Sequence, residues 1–324
     1  QSSATNGTIF ELCYNPDNKS VIERHIKDFT LSSSLVSTAE VGAIIAEAAD
    51  AAPANSYAMV FAGHGTGWIP RVLAESSVST LALGYDAWIP AEGAEVTRNF
   101  GESNVKLDIS EIAESIEYSG IELDYILFDA CFMSNIEAVY DLRNSAKYII
   151  ASPCEIMGKG FPYHRTLPHL FGESYNLRSA AESYYLFYLD EYNGSARCGS
   201  VALYDCAEVE ALAEATKIVM QSANLDIDTS TLQTYEGQAV HHFYDFGEWV
   251  RSVATDSEAL KAFDEQLNRT VIAKFTLPTF YSAYGSYGTY NINEEVYSGV
   301  TTSAPSKAYP VEWRESNWYK ATMP

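Results

Sequence analysis

The sequence predicts an α/β protein with a mainly parallel central sheet and helices on both faces. Three observations carry that expectation. Short apolar runs at residues 57–61 (YAMVF), 125–128 (YILF) and 147–151 (KYIIA) are too brief for helices and are bounded by polar or turn residues, so each reads as a buried strand. Segments with helical spacing stand between them. Strands that alternate with helices need crossover connections, and these favour parallel pairing.

Taken in order, residues 1–7 are polar and terminal. Residues 8–13 (TIFELC) read as a first strand, ended by the turn-rich Asn15-Pro16-Asp17-Asn18. Residues 37–50 carry Val41, Ile44, Ile45 and Ala48 along one helical side. The 57–61 strand runs into Gly63-His64-Gly65-Thr66-Gly67. Residues 67–101 show no sustained periodicity and contain Pro70 and Pro90, so they read as a long loop or small hairpin. Asp108-Ile109-Ser110-Glu111 opens a helix with Leu107, Ile112 and Ile116 inward. The strand before Cys131 follows, then a helix through Ile136, Val139, Tyr140 and Leu142 with Ser134 as its N-cap. After the strand at 147–151 come a helix from about residue 177 to 192, a strand at 200–204 (SVALY) and an amphipathic helix over 207–220. The remainder is rich in Tyr, Phe and Trp. Residues 1–205 are expected to form the core, and residues 206–324 a C-terminal part packed on it.

Composition narrows the function. The chain has 324 residues, 47% hydrophobic and 19% charged, as in ordinary globular proteins. A net charge of −23, with 43 acids against 20 bases and no basic stripe, argues against nucleic acid and suits cationic substrates. No apolar run approaches the about 20 residues that span a bilayer. No leader stands at Gln1, which does not itself argue for the cytosol. The five cysteines (13, 131, 154, 198, 206) are odd in number and irregular in spacing, which fits neither a disulfide framework nor a zinc module. Asp226, Asp228 and Ser230 begin like a calcium loop, but Thr231 and Gly237 occupy the positions that need Gly and Glu.

Chemistry concentrates at two strand ends. If the strands before His64 and Cys131 are parallel neighbours, the two residues leave the sheet at the same edge, where active sites of open α/β sheets collect. A Cys and a His so placed can act as nucleophile and proton-transfer partner. A lone free Cys usually only packs, and a lone His usually only satisfies a turn; the pairing separates these two from that background. A helix beginning just after Cys131 is expected to stabilise its thiolate. Asp129 lies two residues before Cys131 and so on the same strand face. It suits either the floor of a pocket for a cationic side chain or a helix cap. Glu155 is expected to line the same crevice or to be a solvated loop carboxylate. His164, His169, His241 and His242 lack metal-ligand companions at recognised spacings and read as structural.

These stretches resemble the clostripain-like (C11) cysteine peptidases of the caspase-like clan. The resemblance rests on YAMVFAGHGTGW (57–68), DYILFDACFMSNIEAVYDLR (124–143), KYIIASPCEIMGKGFPY (147–163) and YDFGEW (244–249). It implies a caspase-like α/β/α sandwich with C-terminal additions. It implies an endopeptidase with a His64–Cys131 dyad and an acyl-enzyme. It further implies that the Gly65 and Cys131 N–H groups form the oxyanion hole, and that Asp129, with Glu155 beside it, receives an Arg or, less readily, a Lys at P1. Relatives are often activated by self-cleavage between the His and Cys strands, where Arg71 and Arg98 are the candidates. They often begin with a further strand and helix; that part is expected here to be absent, supplied elsewhere or removed by processing, and if it is absent one sheet edge is exposed or differently covered. No cofactor is required by the sequence, calcium is allowed by the resemblance, and export from a bacterial cell is implied by it. Two other readings stand beside this one: a non-catalytic binding module of the same fold, and a peptidase with another P1 preference.

Overall fold

The computed structural model describes residues 6–31, 37–70, 107–172 and 174–324 in full, and residues 97–98 by their backbone. Its centre is a five-stranded sheet. Strands β3 (Tyr57–Ala62), β5 (Leu123–Asp129) and β6 (Ala146–Ala151) run parallel, and β8 (Val201–Asp205) and β10 (Val271–Phe275) continue it antiparallel, in the order β10-β8-β6-β5-β3. Since β10 reverses β8, only β8 opposes the common strand direction.

The sheet divides the interior into two layers, and the alternation of side chains along each strand shows it. Ile126, Phe128 and Ala130 face one apolar cluster while Tyr125, Leu127 and Cys131 face the other. In β8, Ala202 and Tyr204 oppose Val201 and Leu203 in the same way. Strands covered on both faces become unbroken apolar runs, which is why β5 is legible in the sequence. The first face carries α2 (Ile109–Ser119), α3 (Ile136–Leu142), α6 (Val209–Met220) and α8 (Ser257–Thr270). The second carries α4 (Tyr163–Leu170) and α5 (Leu177–Glu191). The result is the α/β/α sandwich that the sequence implies.

Helix ends follow local chemistry. Helix α1 (Thr38–Ala51) starts from a capping box in which the Ser37 hydroxyl accepts from the Glu40 N–H and the Ser37 N–H donates to the Glu40 carboxylate. Helix α2 ends at Gly120, whose φ of +68° is left-handed.

Two features differ from the sequence reading. The 8–13 run is part of β1 (Asn6–Asn15), which pairs with β2 (Ser20–Thr30) in a separate antiparallel hairpin rather than opening the central sheet. Exposure alternates along β1, with Phe10, Leu12 and Tyr14 exposed and Ile9, Glu11 and Cys13 partly covered. The helix after Cys131 begins at Ile136, with Asn135 rather than Ser134 as N-cap; the Asn135 side chain accepts from the Ala138 N–H at 3.3 Å. Cys131 therefore stands a full turn of irregular chain before the helix. Most of the 67–101 stretch lies outside the described residues. Within it, β4 (Thr97–Arg98) pairs antiparallel with β7 (Ile156–Met157).

The C-terminal part belongs to the same body, because β10 extends the central sheet. Its last helix, α10 (Asn317–Thr322), seats Trp318 between Tyr140 of α3 and Phe246. Trp318 is 1% exposed. Replacing it by Ala is expected to cost about 3–5 kcal/mol, the range for a buried large aromatic. Urea unfolding followed by fluorescence reads that loss; a midpoint unchanged from wild type would contradict the packing role.

Candidate active site

The register of β3 on β5 sets the site. Ala62 pairs with Asp129, so His64 and Cys131 each lie two residues beyond the same rung. The Gly63 N–H continues the pairing, donating to the Asp129 carbonyl at 3.3 Å. Gly65 then lies directly on the Cys131 turn. A Cβ built on it would overlap the Cys131 carbonyl oxygen and come within 3.2 Å of the Cys131 nitrogen and the Ala130 Cβ. Only glycine allows that approach. The backbone N–H groups of Gly65 and Cys131 therefore belong to two turns of the chain in contact.

Beyond Gly65 the His64 loop is fixed at two points. Gly67 adopts a left-handed φ of +58° and packs on the Phe132 carbonyl and the Phe243 ring. The Trp68 indole N–H donates to the Ser303 hydroxyl at 2.6 Å. His64 itself is half-buried.

Cys131 is fully buried. Its sulfur accepts the Ile156 N–H at 3.2 Å, while the thiol also faces the Ile156 carbonyl at 3.9 Å. Backbone N–H donation therefore comes from β7, not from a helix terminus as the sequence suggested. The next residue, Phe132, has a φ of +60°, an unfavourable conformation for a bulky side chain. Surrounding contacts hold it there. Its N–H donates to the Cys154 carbonyl at 3.0 Å, its ring stacks on Phe243 at 4.7 Å, and the Ser134 N–H donates to the Ser152 carbonyl at 2.9 Å. Strain held in this way is common at functional turns.

Asp129 is also fully buried. Its Oδ1 accepts the Phe161 N–H at 3.2 Å and its Oδ2 accepts the Tyr163 hydroxyl at 2.9 Å. Glu155 is buried rather than a solvated loop carboxylate. Its oxygens accept the Ala283 N–H at 3.1 and 2.9 Å, and one accepts the Tyr284 N–H at 3.3 Å. It anchors the chain that brings Tyr284 against Phe132, with ring centroids 5.7 Å apart.

Arg71 lies outside the described residues. The Arg98 backbone pairs with Ile156, the residue that contacts the Cys131 sulfur. His164 packs beside Phe187, and His241 and His242 surround a fully buried carboxylate, Glu236. The hydrogen bond to Glu236 raises His241 above the usual imidazole range, and burial lowers His242. Among the described residues no cluster of three or more His, Cys, Asp or Glu side chains could hold a metal ion.

Sequence reasoning missed several supporting residues. Glu137, in the first turn of α3, is buried, and burial raises its carboxyl. Its Oε1 accepts the Thr302 hydroxyl at 2.8 Å, the Ser303 N–H at 3.0 Å and the Trp313 indole N–H at 2.8 Å. Ser303 thus joins the His64 loop, through Trp68, to the helix that follows Cys131. Tyr163 was missed because it lies 34 residues from Asp129 in the sequence.

Comparison with known proteins gives the family. The clostripain family model matches residues 14–301, and the chain belongs to that family of C11 cysteine peptidases. A secreted C11 cysteine protease of Bacteroides thetaiotaomicron, iotapain, is 32% identical with a TM-score of 0.82, over 99% of this chain and 86% of its own. A clostripain from the same species, solved with a peptide inhibitor, is 35% identical with a TM-score of 0.63, over 69% of this chain and 98% of its own. An inactive zymogen C11 protease from Parabacteroides distasonis is 28% identical with a TM-score of 0.77, over 98% of this chain and 84% of its own. No curated protein matched.

The close approach at Gly65 makes a direct prediction. Gly65→Ala must push the two turns apart, and misplacement of about 1 Å can cost roughly 100-fold in rate. Peptidase activity is expected to fall by that order while far-UV circular dichroism is unchanged. Full activity in the variant would show that the contact does not position the site.

Proposed function

We propose that this cysteine peptidase is an endopeptidase that cleaves protein or peptide substrates after Arg, and less readily after Lys, through His64 and Cys131. The observation that carries the reading is the shared register, which delivers both side chains from one rung of a parallel pair. The Ile156 N–H on the sulfur favours the thiolate, the attacking form of cysteine.

In this reading the Cys131 sulfur attacks the scissile carbonyl carbon. The oxyanion forms against the Gly65 and Cys131 N–H groups, each such donor being worth about 3 kcal/mol. His64 donates a proton to the leaving amine as the C–N bond breaks. Water then hydrolyses the thioester, releasing the acid and regenerating the thiol. All of these roles fall to side chains and backbone; the resemblance still allows calcium, and an activity comparison with and without chelator reads that dependence.

Asp129 forms the floor of the S1 pocket. A buried carboxylate selects a cation sharply, because a neutral P1 side chain would leave it without its counter-charge. The net charge of −23 favours approach of cationic substrates. One clostripain relative was solved with an inhibitor whose peptide, VLTK, ends in lysine. Glu155 acts here by holding the 283–284 backbone beside Phe132.

Of the two self-cleavage candidates, the reading keeps Arg98, whose backbone adjoins the Cys131 contact at Ile156. The description of two relatives as secreted supports export of this one. Among the described residues no helix is long and apolar enough to cross a membrane.

The test is hydrolysis of matched fluorogenic peptides ending in Arg, Lys, Asn or Asp. Arg is expected to be the best substrate and Lys second. Cys131→Ala should abolish turnover, and Asp129→Asn should lower Arg turnover at least about 100-fold, since removing the carboxylate charge leaves the guanidinium unpaired. Cleavage of only Asn or Asp peptides would overturn the pocket assignment. The same incubation on a gel reads self-cleavage, expected in wild type and absent in Cys131→Ala. A wild-type chain that hydrolyses no peptide, with or without calcium, would favour a binding module of this fold.

A further inference from the structure

The loop over residues 158–163 is built around Asp129. Gly160 turns with a left-handed φ of +66°, and its carbonyl accepts the Tyr188 hydroxyl at 2.9 Å. The Phe161 ring stacks on Tyr184 at 4.4 Å, which aims its N–H at Asp129 Oδ1. Tyr163, the first residue of α4, donates its N–H to the Phe161 carbonyl at 2.9 Å and its hydroxyl to Asp129 Oδ2 at 2.9 Å. The carboxylate thus has at least one donor on each oxygen. Two anchors on two oxygens fix its rotation about the Cβ–Cγ bond.

That rotation matters differently to the two basic side chains. A guanidinium is a rigid planar fork, and its best pairing is two parallel hydrogen bonds in the plane of the carboxylate. An ammonium is a compact point charge with rotating donors, largely indifferent to that plane. A device that sets the plane therefore acts on Arg and hardly on Lys.

We infer that Tyr163 is a specificity-determining residue: its hydroxyl holds the Asp129 carboxylate in the orientation that receives a guanidinium fork, and so sets the preference for Arg over Lys at P1. This rests on the reading of Asp129 as the floor of the S1 pocket. Tyr163 takes no part in bond making or breaking; it acts through Asp129.

The experiment is Tyr163→Phe, which removes one oxygen and keeps the ring. Values of kcat/KM are measured on matched Arg and Lys peptides. The ratio of Arg to Lys is expected to fall about tenfold, nearly all of it from the Arg peptide, with Lys turnover within about twofold of wild type. An equal loss on both peptides, or an unchanged ratio, would overturn the inference. In an Asp129→Asn background, Tyr163→Phe should leave the ratio where Asp129→Asn alone puts it; a further drop there would also overturn it, since the hydroxyl would then act elsewhere. If the wild type cleaves after neither Arg nor Lys, the S1 reading itself falls and takes this inference with it. Cleavage after both, with a ratio insensitive to Tyr163, removes the inference alone.

Discussion

Everything at the site depends on one rung of a parallel pair. Ala62 stands opposite Asp129, and the chain proceeds two residues on each side to His64 and Cys131. In parallel sheets the register is set by facing side chains on both surfaces, and a slip of one residue would turn every side chain to the other face. Here a slip would also carry His64 out of step with Cys131 and place a residue with a Cβ where Gly65 now touches the Cys131 backbone. The packing that stabilises β5 therefore specifies the chemistry as well.

A second constraint is the irregular chain after Cys131. A helix starting at once would have bent the chain away before Phe132 could reach its left-handed conformation. Instead the 131–134 segment is clamped by the 152–154 turn on one side and by 299–301 on the other, where the Thr301 N–H donates to the Ser134 carbonyl at 2.9 Å. Glu137 and Ser303 join this segment to the C-terminal residues and, through Trp68, to the His64 loop. The C-terminal part thus braces the site as well as extending the sheet.

Much of this was legible before the structure. The buried strands announced themselves as unbroken apolar runs, and two strand ends bearing Gly-His-Gly and Asp-Ala-Cys drew attention because reactive side chains sat beside residues that permit close backbone approach. What stayed hidden was what tertiary pairing decides. Residues 20–30 gave no strand signal because only one face of the hairpin is even partly covered. The bonds that hold Glu155 could not be read from its place after β6, because its partners lie 128 and 129 residues away. Tyr163, Glu137 and Ser303 carry no local pattern at all; each matters only through the group it meets.

The five thiols differ in their surroundings, and this sets up the decisive observation. Burial pushes Cys154 well above the ordinary thiol range and raises Cys206 to about 12, which keeps both as unreactive thiols. Cys13 is half-exposed on the β1–β2 hairpin, outside the central sheet. That Cys131 alone is the attacking thiol is tested most directly by treating the native protein with an arginyl chloromethyl ketone and mapping the adduct by peptide mass spectrometry. One adduct per chain, on Cys131, is the predicted result. An adduct on Cys13 or spread over several cysteines, with Cys131 unmodified, would contradict it.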